Sequence, residues 1–206
     1  MTKHNPHGVG EKRIEQFFIF FIVLRNKESL MKKILSVLSL FLFPAVSVGS
    51  CGDFYDTPLT TLQGDKFNLC EHKDKPIIFV NTASKCGFTS QFEDLERLYS
   101  DNKDKLLIVG FPSNDFNQEP GSNDEIQKFC KLTYAVEFPM MEKSSVVGPK
   151  ANPIYQKLNE ATGKAPMWNF YKFVVMPNLE KVHVFSSMTN PESNKIKKIL
   201  EPFDIN

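Results

Sequence analysis

The chain has few of the residues that clamp anionic ligands. Among its 206 residues, Arg97 is the only arginine after position 50. Residues 51–206 hold 18 basic and 21 acidic residues, a net charge of −3. Arginine supplies the planar fork that binds phosphates and carboxylates, and a basic surface is the usual footprint of nucleic-acid binding. The composition therefore argues against a nucleic-acid partner.

Cysteine is also scarce, and its spacing excludes two kinds of site. The four cysteines lie at positions 51, 70, 86 and 130. They form no Cys-x-x-Cys pair and do not match the ligand spacing of a zinc site. The sequence therefore predicts no metal site, no bound cofactor and no neighbouring dithiol.

Long apolar runs are missing as well, apart from one moderate stretch near the N-terminus. Met31 and two lysines precede an apolar stretch, 34–48, which small residues and Cys51 follow. This order is typical of a secretory signal, and the stretch is too short for a confident membrane span. We therefore divide the chain into a leader, residues 1–50, and one domain, residues 51–206. Either translation begins at Met31, or the residues before it belong to a longer leader.

The junction after the leader allows two fates for Cys51. The segment Val48-Gly49-Ser50-Cys51 resembles a bacterial lipobox, in which the cysteine is lipidated and becomes the first residue of the mature protein. Ordinary cleavage near Ser50 would instead leave Cys51 as a free thiol at a flexible end. Both alternatives place the chain outside the cytoplasm, as a periplasmic protein or a membrane-anchored lipoprotein, where cysteines can form disulfides.

Strand and helix patterns alternate along the domain. Apolar runs predict four strands, of which the last two form a hairpin, and helix-start motifs predict four helices. The strands are 77–80, 106–109, 173–176 and 182–185; the helices begin at the capping boxes Ser90–Glu93 and Ser122–Glu125, at Asn152-Pro153 and at Asn190-Pro191. This order predicts an α/β, thioredoxin-like fold with a mixed central sheet and helices on both faces.

Cys86 lies where the first predicted strand turns into the first predicted helix. The start of a helix presents unpaired N–H groups and partial positive charge, which lower the pKa of a thiol and favour the reactive thiolate. Lys85 could add to that field. A buried structural cysteine is the alternative, and the local pattern leaves both interpretations open.

Three segments resemble the signature blocks of a known family. They are residues 81–89, 110–123 and 168–170, with the sequences NTASKCGFT, GFPSNDFNQEPGSN and WNF. In order and approximate spacing they are similar to the three blocks of the glutathione peroxidase family. The resemblance covers about residues 54–203 and implies a thioredoxin-fold peroxidase.

The resemblance also implies roles for four residues. Cys86 matches the peroxidatic residue, and Gln118, Trp168 and Asn169 match the rest of the family's catalytic tetrad. A thiolate attacks one peroxide oxygen and expels the other, which leaves a sulfenic acid. Amide and indole N–H groups suit such a site because they stabilise charge without acting as nucleophiles. Without the match, each of these three donors has an ordinary alternative in a surface loop, the core or a turn.

Cys130 lies where many cysteine-type members carry a resolving cysteine. In that role its thiol attacks the sulfenic acid, and a thioredoxin-like dithiol reduces the resulting disulfide. The alternative is a half-buried packing cysteine, which is also the expectation for Cys70. Two positions depart from the family: Ser113 replaces a common cysteine, and Asp115 replaces a glutamine. Asp115 would raise the pKa of Cys86 if it pointed inward, and would be harmless if solvated.

The resemblance implies an enzyme that reduces hydrogen peroxide and organic or lipid hydroperoxides in the response to oxidative stress, and the signal-like leader predicts that this enzyme is exported. The segment 139–168 lacks the extra loop of tetrameric relatives, which implies a monomer with an open site. Because Arg97 stands alone, we expect a thioredoxin-like reductant to outperform glutathione. Two alternative functions are an exported thiol–disulfide oxidoreductase and a non-enzymatic redox or copper-binding lipoprotein. The copper site would need a second cysteine ligand at position 90, where this chain has Ser90.

Overall fold

The computed structural model describes residues 50–205. The predicted leader, its alternative start at Met31 and the first two residues of the lipobox lie outside the described residues. Among residues 50–205, no helix is both long and apolar enough to cross a membrane.

A four-stranded mixed sheet forms the centre of the domain. Its strands are β3 (Ile77–Thr82), β4 (Leu107–Pro112), β5 (Lys172–Val175) and β6 (Val182–Phe185), in the spatial order β4-β3-β5-β6. β3 is parallel to β4 and antiparallel to β5, and β6 is antiparallel to β5. A short antiparallel ribbon, β1 (Leu59–Thr60) and β2 (Lys66–Phe67), precedes the sheet. A parallel pair followed by an antiparallel hairpin confirms the predicted thioredoxin-like layout.

Helices cover both faces of this sheet, as predicted. They are α1 (Gln91–Ser100), α2 (Asn123–Tyr134), α3 (Pro153–Thr162) and α4 (Asn194–Leu200). Alternate residues of β3 point to opposite faces, so Ile78 and Val80 pack in one core with residues of α1, α2 and α4. Ile77 and Phe79 pack in the other core, with residues of α3. β3 and β4 are buried on both faces, which explains why they read as continuous apolar runs.

Two of the four predicted helix starts are confirmed together with their predicted caps. The Ser122 side chain accepts the N–H of Glu125, and the Glu125 carboxylate accepts the N–H of Ser122, so the capping box at α2 is complete. Asn152 caps α3 through the N–H of Ile154, with proline as the first helical residue.

At α1 the predicted start is confirmed but its capping box is not, and at α4 the predicted start itself is wrong. Ser90 has helical backbone angles and makes no capping hydrogen bond through its side chain, because the preceding residues are already wound into successive turns. Asn190 caps a turn instead of a helix: its side chain accepts the N–H of Glu192, and α4 begins only at Asn194.

Candidate active site

Cys86 lies in the loop that leaves the carboxyl end of β3. Its carbonyl accepts the N–H of Thr89 at 3.2 Å, and its sulfur accepts the N–H of Phe88 at 3.5 Å. The residue is 5% exposed. Cys86 lies between the strand and the helix, as predicted, but ahead of the first turn of α1, which begins only at Gln91. The local donor to the sulfur is a turn amide.

The two predicted amides lie in contact beside this loop. Asn169 Nδ2 donates to Gln118 Oε1 at 2.8 Å, and the Gln118 carbonyl accepts the N–H of Lys85 at 3.0 Å. Asn169 is fully buried, whereas Gln118 is half-buried. Because Oε1 is occupied, the Gln118 NH2 group is the part left to donate, and it makes no hydrogen bond within residues 50–205. An N–H group can stabilise a sulfur anion or a departing oxygen only if no other acceptor occupies it.

Trp168 lies at the surface of the site, which excludes the alternative that it is a core residue. It is 41% exposed, and its ring lies 5.5 Å from the ring of Phe116, centre to centre. Within the described part of the chain, its indole N–H has no hydrogen-bond acceptor. None of the three predicted donor side chains hydrogen-bonds to the Cys86 sulfur among residues 50–205. Gln118 and Asn169 bond to each other instead.

Asn81 holds the turn that carries Trp168 and Asn169, a role that sequence reasoning missed. Its Nδ2 donates to the Trp168 carbonyl at 3.0 Å, and its Oδ1 accepts the N–H of Tyr171 at 3.1 Å. Its backbone carbonyl accepts the N–H of Phe170 at 2.6 Å. The sequence signal for this role was a polar residue near the end of an otherwise apolar strand.

Ser84 and Glu119 join the Cys86 loop to the Gln118 loop. Both oxygens of the Glu119 carboxylate are used, since they accept the Ser84 N–H and O–H, each at 2.7 Å. The Glu119 N–H donates to Asn114 Oδ1 at 2.9 Å. A carboxylate that is 1% exposed is costly to bury without such partners, so this pairing fixes the two loops together.

A second group of buried polar residues supports Asn169 from behind. Ser187 Oγ donates to the Asn169 carbonyl at 2.6 Å, and Gln91 Nε2 donates to the Ser187 carbonyl at 2.7 Å. Lys172 Nζ donates to the Thr189 carbonyl at 2.7 Å, and burial lowers the pKa of Lys172 to about 7. The sequence carries no local signal for this group, because its members come from different elements.

Asp115 neither faces the sulfur nor lies free in solvent. Its carboxylate accepts Ser145 Oγ at 2.8 Å and the N–H groups of Val146 and Val147 at 2.6 and 3.1 Å. Ser113 is fully buried, and its hydroxyl accepts the N–H of Asp115 at 3.3 Å. The two departures from the family pattern therefore build the loop instead of the reacting centre.

Cys130 lies on the buried side of α2 and is not bonded to Cys86. It is 3% exposed, and both cysteines are free. Burial, with a smaller effect from the charge of Glu119, raises the pKa of the Cys130 thiol to about 12. A cavity of about 500 Å³ borders it. In this state Cys130 is a poor nucleophile.

The chain beyond Cys130 is held in place by a small set of contacts. Ala135 ends α2 in the left-handed conformation, with φ of 53°, and donates its N–H to the Cys130 carbonyl. The Glu96 carboxylate of α1 accepts the N–H groups of Glu137 at 2.7 Å and Phe138 at 3.2 Å. These contacts fix the end of α2 and the segment that follows it.

Cys51 and Cys70 form a disulfide, with their Cα atoms 5.8 Å apart. The prediction that Cys70 is a packing residue is therefore wrong. Neither predicted fate of Cys51, lipidation or a free thiol, anticipated this bond. The sequence placed Cys51 at a flexible end, and only the fold shows that this end returns to Cys70.

Comparisons with known proteins point to one family. The family model for glutathione peroxidase matches residues 54–159. A glutathione peroxidase of Lactococcus lactis subsp. cremoris (strain MG1363) is 45% identical over 156 residues, which cover 72% of this chain and 99% of that protein. Glutathione peroxidase-like peroxiredoxin 2 of Saccharomyces cerevisiae (strain ATCC 204508 / S288c) is 44% identical over 147 residues, covering 68% and 91%. The solved structure of Trgpx in its apo form is 32% identical, with a TM-score of 0.56, and covers 73% and 95%.

Proposed function

Because this chain belongs to the glutathione peroxidase family, we propose that it reduces hydrogen peroxide and organic or lipid hydroperoxides at Cys86. The observation that carries the proposal is the link between two loops. The N–H of Lys85 donates to the Gln118 carbonyl, which sets the Gln118–Asn169 amide pair beside the cysteine loop. The Gln118 NH2 group and the Trp168 indole are then available to a bound peroxide.

The chemistry transfers one oxygen atom from the peroxide to the sulfur. As the Cys86 thiolate attacks, an S–O bond forms and the O–O bond breaks, which gives a sulfenic acid. The second oxygen leaves with negative charge, takes a proton and departs as water or an alcohol. The Phe88 N–H donates to the sulfur before attack. The Gln118 and Trp168 donors stabilise the charge that moves onto the leaving oxygen.

Regeneration proceeds through Cys130 and a dithiol reductant. The Cys130 thiol attacks the Cys86 sulfenic acid, forms a disulfide and releases water, and a thioredoxin-like protein then reduces that disulfide. Arg97 supports this choice over glutathione. Its guanidinium already pairs with Asp94 at 2.6 Å and with Glu192 on the surface, so it is not free to clamp the carboxylates of a glutathione molecule.

The two rival functions lack the groups that they require. A thiol–disulfide oxidoreductase of the usual kind needs a second cysteine close to Cys86 in the same loop, but Gly87 and Phe88 follow Cys86 instead. A copper site of the expected kind needs a cysteine at position 90, where the exposed Ser90 stands.

We further propose that the enzyme is exported and acts as a monomer. The signal-like segment before Cys51 supports export, as does the Cys51–Cys70 disulfide, because such bonds persist in oxidising compartments. The short connection between Pro139 and Trp168 supports a monomer with an open site.

A peroxide-consumption assay with thioredoxin or glutathione as reductant tests the proposal. Cys86→Ser should abolish turnover. Cys130→Ser should stop thioredoxin-coupled recycling but retain one stoichiometric burst of peroxide reduction. Cys70→Ser, a matched cysteine-to-serine control outside the site, should keep turnover. Peroxide consumption by Cys86→Ser at the wild-type rate would refute the assignment.

A further inference from the structure

We propose that the Cys51–Cys70 disulfide is the mature state of Cys51, so that the exported chain carries an N-terminal cross-link instead of a lipid anchor. The Cα separation of 5.8 Å lies within the range that a disulfide spans. The cross-link is also separate from the catalytic pair, because Cys86 and Cys130 remain free while it is present. The inference therefore stands whether or not the peroxidase proposal holds.

The turn around Cys51 presents its sulfur toward the body of the domain. The Asp56 carboxylate accepts Ser50 Oγ at 2.5 Å and the N–H of Cys51 at 3.3 Å. The Asp56 N–H donates in turn to the Gly52 carbonyl at 3.0 Å. These bonds close residues 50–56 into a compact turn, so Cys51 does not extend away from the fold.

The chain enters the core at Phe54, only three residues after Cys51, so the tether is short. Phe54 and Tyr55 are 6% and 5% exposed and pack with Phe79 of the central sheet. Three residues span at most about 11 Å even when fully extended. A lipid on Cys51 would therefore press the folded domain directly against the bilayer, whereas a disulfide needs no linker.

Cys70 is held equally firmly on the other side of the bond. It lies in a short 3₁₀ turn, Leu69–His72, whose capping residue Asn68 accepts the N–H of Cys70 at 3.2 Å. Leu69 is 1% exposed and anchors this turn in the same core as Phe54. The fold thus brings the two sulfurs together from two independently fixed turns.

Lipidation and cross-linking exclude each other at one sulfur atom. A thioether to a glyceryl carbon and a disulfide each use the second covalent bond of the Cys51 sulfur. Disulfide formation removes two protons and two electrons from the Cys51 and Cys70 thiols. The acceptor is the disulfide of a thiol oxidase in the oxidising compartment, which becomes a dithiol. The bond can therefore form only after export, and only on chains that escape lipidation.

Mass spectrometry of the full chain, exported from a bacterial host and alkylated without reduction, tests the proposal directly. We expect a Cys51 peptide joined to the Cys70 peptide, alkyl label on Cys86 and Cys130, and partition of the protein into the aqueous phase of a detergent separation. A diacylglyceryl mass on Cys51, or alkyl label on both Cys51 and Cys70, would overturn it. So would stoichiometric zinc on unlinked thiols, since the ligand atoms of Cys51, Asp56 and Cys70 lie within 4.8 Å of one another.

Matched serine variants give a second readout. Closing a loop of this length predicts that Cys51→Ser and Cys70→Ser each lower the melting temperature by about 6–12 °C. The double variant should fall no further, because both changes remove the same bond. Dithiothreitol should lower the wild-type melting temperature by the same amount and leave the variants unchanged. Wild-type stability in Cys70→Ser, or additive losses in the double variant, would contradict the cross-link, and peroxidase turnover should be unaffected in all three.

Discussion

The replacement Glu96→Ala tests how Cys130 becomes reactive. A pKa of about 12 leaves about one Cys130 in 10⁵ as thiolate at pH 7, about a thousandfold fewer than at the ordinary value of 9.0. In the closed structure, Cys130 is therefore nearly inert. We therefore expect its reaction to pass through an open form in which the end of α2 releases the thiol into water.

Glu96 opposes that opening because its partly exposed carboxylate accepts two hydrogen bonds, from the N–H groups of Glu137 and Phe138. Hydrogen bonds to a charged group contribute about 1.5–3 kcal/mol each when buried, and less when solvent competes. We take about 1–2 kcal/mol as the contribution of the two hydrogen bonds to the stability of the closed form. Losing both then increases the population of the open form about 5- to 30-fold.

The measurement is the rate of Cys130 alkylation in the reduced enzyme, followed by mass spectrometry, together with the rate of Cys86–Cys130 disulfide formation after one equivalent of peroxide. Both rates should rise about 5- to 30-fold in Glu96→Ala. Glu93→Ala removes an exposed carboxylate from the same helix and serves as the matched control. An unchanged alkylation rate in Glu96→Ala would show that Cys130 is released elsewhere, and an equal increase in Glu93→Ala would indicate a general charge effect.

Two further predictions concern the buried polar groups around the site. Asn169→Ala removes the donor that orients Gln118, so the oxidation of Cys86, measured by stopped flow, should slow by about 10- to 100-fold. Ser187→Ala loosens only the Asn169 backbone and should slow this oxidation less. A larger loss of rate in Ser187→Ala than in Asn169→Ala would contradict the assigned roles. The pKa of Lys172, about 7 in the folded chain, lies below its unfolded value, so the unfolded chain binds the extra proton above pH 7 and stability should rise with pH from about 7 toward 10.5 by up to about 1.4 kcal/mol per pH unit. The free energy of unfolding of Lys172→Met minus that of the wild type, measured with urea, should be about 2 kcal/mol larger at pH 7 than at pH 9. If this difference does not depend on pH, Lys172 is not held in its neutral form.

Sequence reasoning was most successful where the signal lies within a few residues. The apolar runs of β3 and β4, the Ser122 capping box and the Asn152-Pro153 start depend on neighbours in the chain, and the structure confirms them. It placed the start of α1 correctly but failed on the capping box at Ser90, and it failed on the helix start at Asn190, because both residues lie in turns that the rest of the fold imposes.

The amino-acid sequence alone determined the family, the order of strands and helices and the candidate residues Cys86, Gln118, Trp168 and Asn169, because these depend on residue type and position along the chain. Tertiary structure alone decided which groups meet. Asn169 reaches Gln118 across 51 positions, Ser84 reaches Glu119 across 35, and Cys51 lies beside Cys70. Such contacts are set by how the sheet and its loops pack, and no local pattern encodes them. Packing likewise decides that Cys130 is buried as a thiol, since the pKa of a side chain depends on the solvent and charges around it.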